Sequence, residues 1–208
     1  MNNIRIAASG ISKKFGRQRV FEGLDFDFSG CGVFGISGSN GSGKSTLSLI
    51  IAGVLSPSSG SITREIGGRE IDDDSIHAHL GFASPYLVLY EELSPMENLK
   101  YFSLISGRQA DIQRAEDLFS TLNIYERRND EIKKFSSGMK QRVKLVMSLA
   151  CNPSLLILDE PASNLDLDGK TKVHKIIERY SESIQIIVAS NEQADLELCK
   201  STINLDHK

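Results

Sequence analysis

No run of about 20 apolar residues occurs anywhere in the 208-residue sequence, so no segment is long enough to cross a bilayer as a helix. The N-terminal MNNIRIAASG is too polar to read as a signal peptide. A role at a membrane would therefore run through a partner chain. Cysteine is scarce and odd in number: Cys31, Cys151 and Cys199 have no CxxC spacing and no nearby histidines. That argues against disulfides and metal ligation and for reduced, partly buried thiols of a cytoplasmic protein. A basic surplus is missing as well, with 24 Lys and Arg against 27 Asp and Glu for a net charge of −3. The basic residues fall in scattered pairs such as Lys13-Lys14, Arg127-Arg128 and Lys133-Lys134, so no direct contact with nucleic acid is expected. Internal repeats and low-complexity linkers are also lacking. What remains is 40% hydrophobic and 25% charged, a globular composition able to bury roughly 70% of its unfolded surface.

The character of the sequence changes twice. Up to about Gly81 it carries short β-like runs, IRIAA (4–8), FDF (26–28) and VFGI (33–36), followed by the helix-like TLSLIIAGVL that ends at SPSSG. From about Leu89 to Ala150 the period is helical, through MENLKYFSLISG, DIQRAEDLFSTLNI and GMKQRVKLVMSLA, the last with Val143, Val146, Leu149 and Ala150 on one face. After Ser154, LLILD and IQIIVA are unbroken apolar runs separated by a helical stretch around KTKVHKIIERY. Such runs suit parallel strands covered on both faces. An α/β layer interrupted by a mostly helical insertion is predicted.

GSNGSGKST at 38–46 follows an apolar strand and opens a helix, and it satisfies the phosphate-loop pattern through Gly38, Gly43, Lys44 and Ser45. Across Gly38, Ser39, Asn40, Gly41, Ser42, Gly43, Lys44, Ser45 and Thr46 the glycines let backbone N–H groups wrap an anion. The helix N-terminus adds positive potential, Lys44 reaches terminal phosphates and Ser45 can ligate Mg²⁺. A nucleoside triphosphate site follows. In LLILDEP the apolar run makes a strand, and Asp159 emerges at its end where it can hold Mg²⁺; Glu160 is next, placed to polarise an attacking water. FSSGMKQRV at 135–143 precedes that strand, with Ser136, Ser137 and Gly138 opening a helix whose first N–H groups are free for an anion. Taken alone, it reads as an ordinary serine cap.

This order of motifs, closed by SNLD at 163–166, resembles the ATP-binding cassette (ABC) ATPases along essentially the whole chain. The resemblance implies a P-loop NTPase (RecA-like) α/β core with an N-terminal antiparallel β element and a mostly helical insertion. It implies one domain over 1–208, with a core lobe at about 1–84 and 151–208 and the insertion at about 85–150. ATP and Mg²⁺ are the implied cofactors. Two cassettes would meet head to tail, Ser136, Ser137 and Gly138 touching the γ-phosphate held by the partner and Asp166 lying at the interface. Phe15 matches the aromatic that stacks on adenine, although an isolated Phe before a glycine could equally be core. The implied partners are a second cassette and a separate permease, which would hold the chain on the cytoplasmic face of the cell membrane. Compact length and SSGMKQR look most like the haem-exporter ATPase of cytochrome c maturation and small unassigned cassettes, too loosely to name a substrate.

Two positions depart from the family. Its glutamine after the last strand of the first lobe aligns with Pro85, leaving that contact absent or taken by Ser84 or water. Its switch histidine aligns with Asn191, in IIVASNEQAD, which either donates to the γ-phosphate or caps the following turn. Both concern γ-phosphate sensing, so slow hydrolysis is expected. Three readings stay open: a transporter ATPase subunit, a soluble cassette acting on a protein assembly or the ribosome, and a nucleotide-dependent regulator that scarcely hydrolyses.

Overall fold

The computed structural model describes residues 4–206. β1 (Ile4–Phe15) and β2 (Gln18–Ser29) form a hairpin, and β3 (Gly32–Ser37) leads through the glycine loop into α1 (Lys44–Ile51). β4 (Ser59–Ile66), β5 (Arg69–Glu70), α2 (Asp73–Ile76) and β6 (Leu80–Ala83) follow. Then come α3 (Pro95–Ser106), α4 (Ile112–Thr121) and α5 (Ser137–Ala150). The chain closes with β7 (Leu155–Asp159), α6 (Leu167–Ser181), β8 (Gln185–Ala189), α7 (Gln193–Leu196) and β9 (Ser201–Asn204).

The strands make two sheets, an antiparallel one in the order β2-β1-β4-β5 and a parallel one in the order β6-β7-β8-β3-β9. LLILD and IQIIVA are indeed central parallel strands, buried at every position of β7 and β8. Their side chains alternate between two cores, as a pleated strand requires. Leu155, Ile157, Ile187 and Ala189 pack with α1 and the antiparallel sheet. Leu156, Leu158, Ile186 and Val188 pack with the α4, α5 and α6 side. Gln185 joins the two sheets, its buried amide donating to the carbonyls of Phe28 (3.0 Å), Gly30 (3.1 Å) and Ile4 (3.3 Å).

The helices between β6 and β7 have readable local causes. Ser94 and Glu97 form a reciprocal capping box with Pro95 in the first turn, and Gly107 ends α3 at φ 65°. Val143, Val146, Leu149 and Ala150 all lie in the core, on the predicted face of α5.

Three features differ from the sequence expectation. The short runs at 4–8 and 26–28 are parts of 12-residue strands; these alternate buried and exposed residues and bend at bulges between Ala8 and Lys14, so their apolar content looks sparse. β9 was not anticipated because STIN is mostly exposed at the sheet edge. The helix after the glycine loop stops at Ile51 rather than running through Leu55. There the buried guanidinium of Arg64 donates to the carbonyls of Ile51 (2.8 Å, from Nε) and Ile50, and pairs with Asp73 at 2.5 Å. Gly53, at φ 75°, then turns the chain away.

Burial pulls the Arg64 pKa down and Asp73 counters it, so the group remains in the core because its donors are used. Arg64→Met should cost about 1–3 kcal/mol in denaturant unfolding by taking the guanidinium donors from the Ile51 carbonyl and from the Ile50 carbonyl, the latter keeping the Gly53 N–H at 3.1 Å. Asp73→Asn, at a half-exposed partner, should cost less than about 1 kcal/mol. Equal losses for the two variants would show that the ion pair, rather than the helix end, is what Arg64 serves.

Candidate nucleotide site

Register brings the site together. In the parallel sheet Ile36 pairs with Ala189, which pairs with Asp159, so β3, β8 and β7 end level with one another. The segments leaving those ends surround a cavity of about 370 Å³ lined by Asn40, Gly41, Gly43, Lys44, Ser45 and Thr46 on one side and Asp159 and Glu160 on the other. Val20, Pro85 and Tyr86 complete it. α1 begins at Lys44, so its first N–H groups face this space. Gly43, at φ 104°, admits no side chain, because a Cβ there would lie 2.4 Å from Val20 Cγ1. A wider cleft of about 620 Å³ between α4 and α6 contains neither the glycine loop nor a strand-end carboxylate. Convergent chemistry, rather than volume, therefore identifies the site.

Lys44 is buried, and its ammonium donates to the carbonyls of Gly38 (2.8 Å) and Ser39 (3.2 Å) while lying 3.4 Å from Glu160 Oε1. Asp159 is fully buried, and burial raises its pKa against the opposing effects of a Ser45 hydrogen bond and the Lys44 charge. Its Oδ1 has no hydrogen-bond partner among the described residues. A buried carboxylate oxygen without a partner, beside a serine hydroxyl, suits a hard divalent cation. Among the described residues no group of three or more His, Cys, Asp or Glu could hold a metal, so such an ion would draw its other ligands from phosphate or water. Burial also raises the Glu160 pKa, with Lys44 opposing and Asp159 and Asp195 adding to the rise. Glu160 occupies the left-handed region at φ 51°, held there by its N–H donating to Ala189 O at 2.8 Å. Such a conformation costs of order 1 kcal/mol or more for a non-glycine residue.

The other candidates are dispersed. Ser39 is fastened from outside the loop, its N–H and hydroxyl meeting the Asp206 carboxylate at 2.8–3.0 Å. Ser42 Oγ is buried. Phe15 stands exposed at the hairpin turn with Lys13 Nζ 5.0 Å from its ring centre, outside the lining of the cavity. Ser136 caps α5 by accepting from Met139 N–H at 3.3 Å. Ser137 is exposed beside it, and Gly138 packs against Asn164, whose carbonyl would lie 2.7 Å from a Cβ. None of these three lines the cavity of its own chain. Asp166 caps α6 through Gly169 N–H and pairs with Arg142 at 2.9 Å. Asn191 does not cap the next helix: the cap position of α7 is Glu192, and Ser190 Oγ takes the Glu192 N–H. Its amide instead donates to Asn40 Oδ1 of the glycine loop at 3.1 Å. Pro85 lines the cavity, whereas Ser84 is buried away from it; the polar group at that wall is Tyr86, 79% exposed.

Several participants gave no sequence signal. Gln141 donates to the carbonyls of Glu160 (3.2 Å) and Pro161 (3.4 Å), and Lys144 to those of Ser84 (3.1 Å) and Pro85 (2.8 Å). Burial, followed by the nearby Lys140 charge, lowers the Lys144 pKa. Behind Glu160 stand Ser190, Asp195 and His174, scattered over some twenty residues and brought together only by the fold.

A sequence profile described as ABC transporter matches residues 21–163. The chain is 31% identical to the linearmycin resistance ATP-binding protein LnrL of Bacillus subtilis over 93% of its own length and 64% of that protein's, short of two thirds of it. It is 33% identical to the lantibiotic transport ATP-binding protein SrtF of Streptococcus pyogenes, over 90% of this chain and 80% of the other. Its fold matches the dimeric post-hydrolysis structure of the ATP-binding cassette MJ0796 bound to ADP and Pi, with a TM-score of 0.83 at 21% identity over 96% of this chain and 93% of that one. Motif order, strand-end geometry and these likenesses agree: the chain belongs to the ABC transporter family, and the part of that family it represents is the ATP-binding cassette.

Proposed function

We propose that this protein is the ATP-binding and ATP-hydrolysing subunit of an ABC transporter, dimerising around ATP to drive a separate membrane permease. The observation that carries this reading is the meeting of Lys44, the unpaired Asp159 oxygen and Glu160 around one cavity at the start of α1. The loop N–H groups from 38–46 and the Lys44 ammonium bind the phosphates. Ser45 and Asp159 would hold Mg²⁺, which when bound neutralises charge on the phosphate oxygens. Glu160 takes hydrogen bonds from the attacking water and orients it; a carboxylate kept basic by burial suits that role. Phe15 stacks on adenine from the hairpin turn.

On this reading residues 1–84 and 151–208 form the core lobe and 85–150 the helical arm. Ser136, Ser137 and Gly138 act on nucleotide held by a second copy, which accords with the exposure of the two serines and with the place of all three outside the lining of their own cavity. Asp166 lies near that interface. The dimeric structure of the cassette MJ0796 with ADP and Pi supports the same assembly. Among the described residues no helix is long and apolar enough to cross a membrane. The permease is assigned to another chain, with the cassette on its cytoplasmic face, on the likeness to relatives described as ATP-binding proteins of resistance and transport systems. The docking surface is the segment 84–90. Within it Leu89 is buried, Leu87 lines a small apolar groove with Phe102 and Met147, and Val88 is 77% exposed.

With Pro85 and Asn191 at the two sensing positions, the site keeps its largest electrostatic contributions. The expected deficit in turnover is about ten- to a hundredfold.

Glu160→Gln should bind Mg-ATP, lose turnover and accumulate an ATP-bridged dimer in size-exclusion chromatography, whereas Lys44→Ala should lose nucleotide affinity in equilibrium binding. Parental hydrolysis by Glu160→Gln would remove Glu160 from the mechanism. For the strand-end asparagine, Asn191→Ala should lower turnover without changing the nucleotide-free melting temperature. Asn191→His should retain or raise turnover and add a pH dependence near 6.5, about the imidazole pKa. Unchanged turnover in Asn191→Ala would leave its amide with the Asn40 contact alone. Val88→Asp should release the protein from membranes in co-sedimentation while ATP binding survives. Because Val88 is so exposed, a loss of folding there would instead assign the segment to the core.

A further inference from the structure

Ser190, immediately after β8, is fully buried and has one hydroxyl proton between two carboxylates. Its Oγ lies 2.6 Å from Asp195 Oδ2 and 3.5 Å from Glu160 Oε2, and it accepts the Glu192 N–H at 3.1 Å. The shorter contact takes the larger share of that proton and leaves the longer one a weak second contact to Glu160. Asp195 is itself only 1% exposed, and its Oδ1 lies 2.6 Å from His174 Nε2. A ring nitrogen that close to a carboxylate must carry a proton, so Asp195 receives one hydrogen bond from each side. Cys199 Sγ meets the Asp195 main-chain carbonyl, at 3.6 Å, rather than its carboxylate.

We propose that His174, Asp195 and Ser190 form a hydrogen-bonded chain that positions the Glu160 carboxylate, so that a histidine on α6 serves as a remote positioning residue for hydrolysis. The proposal rests on Glu160 acting on the attacking water. While His174 holds Asp195 in place, the Ser190 hydroxyl stays between the two carboxylates, donating chiefly to Asp195 and weakly to Glu160 Oε2. Glu160 is then bracketed, Oε1 by the Lys44 ammonium and Oε2 by the Ser190 hydroxyl, and the weakness of the second contact leaves it able to accept from water. Removal of the imidazole leaves Asp195 buried with one donor and loosens the whole chain. The backbone cannot compensate, because Glu160 is already held at φ 51°.

The test is steady-state Mg-ATP hydrolysis by the full chain. His174 is 19% exposed, which makes it the mildest point of entry. His174→Ala should lower kcat about tenfold with KM and nucleotide affinity unchanged. His174→Gln, whose amide nitrogen reaches as far, should recover most of that loss. Ser190→Ala should match His174→Ala, and the double variant should be no slower than either alone, as for residues acting in one chain. Parental kcat in His174→Ala, additive losses in the double variant, or no recovery with Gln would overturn the proposal. Should alanine at 174 prevent folding, Ser190→Ala with parental kcat would overturn it equally. Hydrolysis surviving in Glu160→Gln would instead count against the functional reading beneath it, so the two failures are distinguishable.

Discussion

The level ending of three parallel strands is the constraint on which the rest depends. Ile36, Ala189 and Asp159 sit side by side in register, so the glycine loop, the Ser190-Asn191 turn and Glu160 must leave the sheet at the same height. A slip of one residue in β7 would send Asp159 to the other face of the sheet, because the side-chain period of a strand is two. Register in turn is fixed by the two cores, which claim alternate residues of β7 and β8 from opposite sides. Packing far from the cavity thus determines where its carboxylates stand.

Register also explains why an unfavourable conformation is tolerated at Glu160. The chain must turn sharply to place its carboxylate over the loop, and the left-handed φ of 51° is retained because its N–H continues the ladder to Ala189. The cost of that backbone and the burial of Asp159 fall at the same place. This is where a catalytic site is expected to depart from ideal local structure.

What could be read from the sequence follows the range of the interactions. The glycine loop, LLILD, IQIIVA and the α5 face were legible because each is written in consecutive residues with a local period. The N-terminal β element was legible in kind but not in length, since its polar, bulged strands carry apolar residues only on the covered side. β9 was invisible, being an exposed edge strand that pairs with β3 alone. The Ser190, Asp195 and His174 contacts were illegible for a different reason. Each is an ordinary polar residue in its own segment, and only the packing of α6 against the end of β8 makes a chain of them. Pro85 and Asn191 stood out as departures from a family pattern, yet that pattern gave no hint that Tyr86 would face the cavity or that Asn191 would reach Asn40.

The absent glutamine at Pro85 raises the question of what couples the helical segment to the site. α5 supplies an answer in main-chain contacts. Gln141 and Lys144 lie three residues apart, hence on one face of that helix, and each donates to a pair of backbone carbonyls: Glu160 and Pro161 on one side, Ser84 and Pro85 on the other. These are the two segments that flank the cavity. Carbonyls are present whatever the side chain, so a proline at 85 leaves this attachment intact although it removes the side-chain contact. Burial makes the attachment stiff: Lys144 loses solvation in the core and regains acceptors only while both carbonyls stay in place. A shift of α5 relative to the sheet must therefore carry both cavity walls with it or leave a buried ammonium without partners. The same helix opens with Ser136, Ser137 and Gly138, so the segment proposed to meet a second copy is rigidly joined to the walls of its own cavity.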